Sequence, residues 1–135
     1  NREAIASIVF EDGEMLKKLD DIIHPAVKKY ILKEIEKSKK EETEFFFIES
    51  ALLLEEKYDE ICDEMWYIYC EKEVRMERLR HDRGYSDEKI QRMMANQLPD
   101  EEFEARCDFQ LYNDEDVAHT YLQIERKMRT YYEFM

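Results

Sequence analysis

An α/β layered domain is the fold class this sequence predicts, and three observations predict it. Phe45-Phe46-Phe47-Ile48 and Met65-Trp66-Tyr67-Ile68-Tyr69-Cys70 are continuous apolar runs of strand length, the kind buried on both faces in parallel sheets. A shorter run follows at Asp108–Tyr112. Helically spaced segments stand before, between and after these runs. The order reads two helices, strand, strand, two helices, strand, helix, and such alternation favours a layered α/β domain over a bundle.

The first helix is expected to be capped by Asp12 and to present Met15, Leu16, Leu19, Ile22 and Ile23 on one face. Pro25 suits the first turn of a second helix, with Val27, Tyr30, Ile31 and Ile35 as its buried stripe. Residues 44–49 and 64–70 follow as core strands, with Ala51–Leu54 as a loop or short helix between them. A helix then carries Arg75 to Arg83 and stops at Gly84. Ser86, with Asp87 and Glu88, opens the next, whose apolar side is Ile90, Met93 and Met94. After the strand at 108–112, Asn113 is expected to cap a last helix, with Asp116 at its third position. Its inner face would be Val117, Tyr121, Ile124, Met128 and Tyr131.

The chain has 135 residues, which fits one domain, and 44% of them are hydrophobic, enough for a core. A net charge of −13 argues against nucleic acid or an anionic membrane surface as partner, because both would repel it. The apolar runs are too short to span a bilayer. Cys62, Cys70 and Cys107 are odd in number and widely spaced, which reads as three reduced thiols and a cytoplasmic setting. His24, His81 and His119 have no metal-ligand spacing.

Against this acidic background, Arg75, Arg78, Arg80 and Arg83 face only Glu77 and Asp82 in their own segment. An anionic ligand, phosphate above all, is the expected partner of such a stretch. The plainer reading is a solvated helix face with Glu71–Arg75 and Arg78–Asp82 as i,i+4 pairs. The two glycines, Gly13 and Gly84, build no phosphate-cradling loop.

Seven short segments, in order, carry a resemblance to a known family. They are Arg2 with Val9-Phe10; His24-Pro25; Leu52-Leu53-Leu54-Glu55 after the first strand; Met65–Tyr69; Arg78-Leu79 through Arg83-Gly84; Asn96-Gln97-Leu98-Pro99; and Asp108-Phe109 through Asn113. Together they resemble dephospho-CoA kinase over nearly the whole chain. The sequence departs from the family's pattern at Ala51, Arg83, Phe103, Tyr112 and Asp114.

The resemblance implies a three-layer P-loop kinase-like parallel sheet, here incomplete because its first strands are missing, with a helical lid at 72–97 and a helical substrate-side region at 12–39. It implies transfer of the ATP γ-phosphate to the 3′-hydroxyl of dephospho-CoA, with Mg2+. Arg78 would be the catalytic lid arginine. Arg78, Arg83, Gln97 and Asn113 would contact nucleotide, and His24, Pro25 and Glu55 the substrate. The family's glycine-rich phosphate loop, with its lysine and hydroxyl, and the acidic segment after it are absent from residues 1–135. The start at Asn1, without Met, fits a truncated or processed chain, and the resemblance implies the C-terminal part of an enzyme, inactive by itself.

In such kinases the strand entering the phosphate loop lies between the counterparts of Phe45–Ile48 and Met65–Cys70. Without it those two strands are expected to face a gap, to pair directly, or to drive self-association through an exposed sheet edge. Two other readings stand beside this one: another small P-loop kinase acting on a nucleoside or nucleotide, and a non-catalytic acidic interaction module.

Overall fold

The computed structural model describes residues 1–133. Where one domain is expected over 1–135, the chain divides into two compact units, Asn1–Leu52 and the residues from Leu53 onward.

The first unit is helical. Helix α1 (Arg2–Glu11) has no counterpart in the sequence reading; the Asn1 side chain caps it, accepting from the N–H groups of Glu3 at 3.0 Å and Ala4 at 3.4 Å. Asp12 caps α2 (Gly13–Lys40) as expected, its carboxylate accepting from Glu14 N–H at 3.0 Å. Two helices broken at Pro25 are not found: α2 is continuous and Pro25 lies inside it. Proline's fixed φ is itself helical, so the helix gives up one N–H bond and tolerates crowding against the turn before it. Much of the expected apolar face lies open, Ile22 and Tyr30 being 70% and 63% exposed. No side chain of residues 1–52 is fully buried.

Phe45–Ile48 forms no strand. A strand buried on both faces needs a ladder partner for its N–H and C=O groups, and these residues join no sheet. Phe47 is left 67% exposed.

The second unit holds the core: Leu54, Tyr58, Met65, Tyr67, Cys70, Met76, Ile90 and Leu111 are buried. Its sheet, among the described residues, is two parallel strands, β1 (Trp66–Tyr69) and β2 (Phe109–Tyr112), in register Trp66↔Phe109 to Tyr69↔Tyr112. Between them run α3 (Lys72–Arg83), α4 (Asp87–Ala95) and α5 (Asp100–Arg106). Gly84 ends α3 at φ 64°, its N–H donating to Arg80 O at 3.1 Å while Tyr85 N–H reaches Leu79 O, a left-handed cap suited to glycine. Ser86 caps α4 through Lys89 N–H.

Helix α5 is unanticipated, its seven residues being too short and charged for a clear apolar period. It delivers Phe103 to stack on Tyr67, with ring centres 4.9 Å apart. The last helix, α6 (Val117–Tyr132), is capped by Asp116, which accepts from His119 N–H at 2.9 Å, and not by Asn113. Its inner face is Ile124, Met128 and Tyr131; Val117 and Tyr121 are each 67% exposed. The Gln123 amide accepts from Tyr112 N–H at 2.9 Å and donates to Tyr112 O at 2.8 Å, closing the outer edge of β2 as a strand would.

Candidate functional site at the strand ends

Because β1 and β2 are parallel, their chains leave the sheet at the same end, where open α/β sheets bind ligands. Cys70-Glu71 leaves β1, and Asn113-Asp114-Glu115 leaves β2. Asn113 N–H continues the ladder by donating to Tyr69 O at 2.7 Å. The Asp114 carboxylate accepts from Glu71 N–H at 2.6 Å. Asn113 Oδ1 accepts from Thr120 Oγ1 at 3.0 Å, which ties the loop to α6.

Arg78 comes to this end from the second turn of α3. Its Nη1 donates to Asn113 O at 2.6 Å and lies 3.5 Å from Cys70 Sγ, while its Nη2 donates to Glu115 O at 3.3 Å. The solvated-face reading of Arg78 therefore gives way to a guanidinium engaged with backbone across 35 residues of sequence. Arg75 likewise turns from Glu71 to Asp100, at 3.7 Å. Burial pushes the Cys70 thiol up, Arg78 pulls it down, and Asp114 adds to the rise.

Beside the first turn of α3 lies a cleft of about 240 Å³, lined by Lys72, Arg75, Gln97, Pro99 and Asp100. It is smaller than the roughly 300–1,000 Å³ of pockets for drug-sized ligands. Gln97 thus faces the same cleft as Arg75. Arg75 Nε is buried there with no hydrogen-bond partner among the described residues. Asp100 also accepts from the Tyr67 hydroxyl at 2.6 Å, and burial followed by this bond pushes the Tyr67 phenol well above its ordinary range.

The other expected site residues lie elsewhere. Arg83 is exposed at the last position of α3. Glu55 is exposed in the turns that follow Leu54. His24 and Pro25 sit inside α2, with His24 Nε2 3.3 Å from Asp20. Sequence reasoning missed Cys70 and Asp114 as site residues; the only signal was that Cys70 closes one apolar run and Asp114 lies two residues beyond another. Among the described residues, no group of three or more His, Cys, Asp or Glu could hold a metal ion.

The family model for dephospho-CoA kinase (CoaE) matches residues 1–119. The chain belongs to the dephospho-CoA kinase family. It is 36% identical over 126 residues to the dephospho-CoA kinase of Aquifex aeolicus, covering 93% of this chain and 63% of that protein. It is 31% identical over 125 residues to the dephospho-CoA kinase of Prochlorococcus marinus, covering 93% and 59%. Among solved structures, TT1252 from Thermus thermophilus superposes with a TM-score of 0.77 at 25% identity, covering 96% of this chain and 66% of that one. Dephospho-CoA kinase from Campylobacter jejuni gives 0.69 at 25% identity, covering 96% and 64%.

The chain thus spans about three-fifths of the length of the curated dephospho-CoA kinases it matches. Its fold is that of the P-loop kinases with the sheet incomplete. Among the described residues, no helix is long and apolar enough to cross a membrane.

Proposed function

We propose that this chain is the C-terminal part of a dephospho-CoA kinase that transfers the γ-phosphate of ATP to the 3′-hydroxyl of dephospho-CoA. The observation that carries the reading is the family match over residues 1–119, which includes both strands and the helices between them. Phosphoryl transfer depends on positioning and on charge neutralisation, and guanidinium groups serve both. Arg78, Arg83, Gln97 and Asn113 are assigned to the nucleotide side, Arg78 as the arginine of the reaction centre. His24, Pro25 and Glu55 are assigned to dephospho-CoA on the resemblance alone.

Residues 1–135 contain no glycine-rich phosphate loop, so this chain by itself is expected to be inactive. Among the described residues no group of three or more His, Cys, Asp or Glu could hold a metal ion, so the ligands of the magnesium that would accompany ATP are assigned to the nucleotide phosphates and to the part of the enzyme outside this chain. A cytoplasmic setting is in keeping with three free cysteines, and neither nucleic acid nor membrane is assigned as a partner.

The test is a coupled assay of ADP release by the full-length protein that carries this sequence. Turnover that needs dephospho-CoA and falls in Arg78→Ala supports the proposal. Turnover with a nucleoside or nucleotide acceptor instead would move the chain to another small-kinase activity.

A further inference from the structure

We propose that Arg78 and Asp114 are positioning residues that clamp the loop after β2 onto the loop after β1, and so hold Asn113 in place for nucleotide. This deepens the kinase reading above and rests on it.

Asn113–Asp116 is a short connection with no secondary structure of its own, yet it is held from three directions. Asn113 N–H is held by Tyr69 O, Asp114 by Glu71 N–H, and the carbonyls of Asn113 and Glu115 by one guanidinium. Two of these links are 2.6 Å long and each involves an ionised side chain, the stronger kind of hydrogen bond. A planar fork can meet two carbonyls at once; an ammonium at the same place meets them as a point charge. Asp114, where the sequence leaves the family's pattern, supplies an acceptor aimed at the Glu71 amide in the β1–α3 loop. The buried Cys70 thiol lies 3.5 Å from Arg78 Nη1.

The proposal separates two ways in which Arg78 can act. A guanidinium that meets only the transferring phosphate acts in the transition state, and its loss lowers kcat. A clamp orders the loop before nucleotide arrives, and its loss raises the KM for ATP with kcat nearly unchanged.

The experiment uses the full-length protein with Asp114→Ala, Asp114→Asn, Arg78→Ala and Arg78→Lys. It reads steady-state kinetics, equilibrium ATP binding, and amide hydrogen exchange at Glu71. Asp114→Ala should raise the ATP KM about five- to tenfold, with kcat within about twofold; both Arg78 variants should raise the ATP KM as much and lower kcat as well, because Arg78 is also assigned to the reaction centre. Asp114→Ala should also speed exchange at Glu71. Asp114→Asn keeps an acceptor oxygen and should stay near the parent in both readouts. Alanines at both positions should cost less than the product of the single effects, because the residues share one loop.

A fall in kcat alone for Arg78→Ala, or a parental KM for Asp114→Ala, would overturn the clamp. If the parent fails to use dephospho-CoA, the activity reading fails. ATP binding and Glu71 exchange would then still decide the clamp. Should an alanine variant not fold, Arg78→Lys against Asp114→Asn gives the same contrast.

Discussion

The Lys127 ammonium lies 2.8 Å from a Glu64 carboxylate oxygen, joining α6 to the residue that leads into β1, with both side chains largely withdrawn from water at 21% and 25% exposure. Trp66 Nε1 donates to the same oxygen at 3.0 Å. Burial alone would push the Glu64 carboxyl up. The hydrogen bonds from Lys127, Tyr131 and Trp66 outweigh it and hold the group below its ordinary value. The bond to Glu64 raises Lys127 in turn.

A depressed carboxylate stabilises the fold above its unfolded pKa, and that contribution disappears as pH falls through the folded value. Glu64→Gln should therefore cost about 1–2 kcal/mol at neutral pH, between an exposed and a fully buried pair. The gap to the parent should narrow below about pH 4. Urea titrations at pH 7 and pH 3 check this, and an equal gap at both would contradict it.

Tyr67 sets the opposite limb. Its phenol is raised, so the folded state keeps a proton that the unfolded chain loses above about pH 10, and stability falls as pH rises through that region. Tyr67→Phe keeps the stack on Phe103, loses the bond to Asp100, and should cost about 1 kcal/mol at pH 7. Ultraviolet titration should show one tyrosine fewer in the late-ionising class.

Gly84 tests the left-handed end of α3. A Cβ there meets nothing within 4 Å, so the cost of Gly84→Ala is conformational, about 1 kcal/mol from the positive φ. Thermal unfolding should show a lowered Tm; Gly84→Asn should lose less, because asparagine tolerates that region.

β1 has a ladder neighbour on one side, while the far edge of β2 is closed by Gln123. The isolated 135-residue chain should therefore self-associate through β1 and the apolar surface near it. Sedimentation velocity should show a concentration-dependent shift. Ile68→Lys, at a position 50% exposed, should weaken the shift without unfolding the chain. A monomer at all concentrations would show that this edge is inert.

Several elements were legible in the sequence because their causes are local. Asp12 and Ser86 cap helices through amides two or three residues away, Gly84 stops one through its own φ, and the apolar run Met65–Cys70 contains the strand Trp66–Tyr69, with Met65, Tyr67 and Cys70 buried. Family membership was legible too, since it rests on the order of short motifs. Other features depended on partners far along the chain. Phe45–Ile48 has strand composition but no ladder to join, and Pro25 sits within α2 where a break looked natural. The turning of Arg78 onto Asn113 and Glu115 depends on two strands first pairing in parallel. Caps and apolar periods are written in neighbouring residues. A hydrogen bond spanning 35 residues exists only once folding has brought its donor and acceptor within reach.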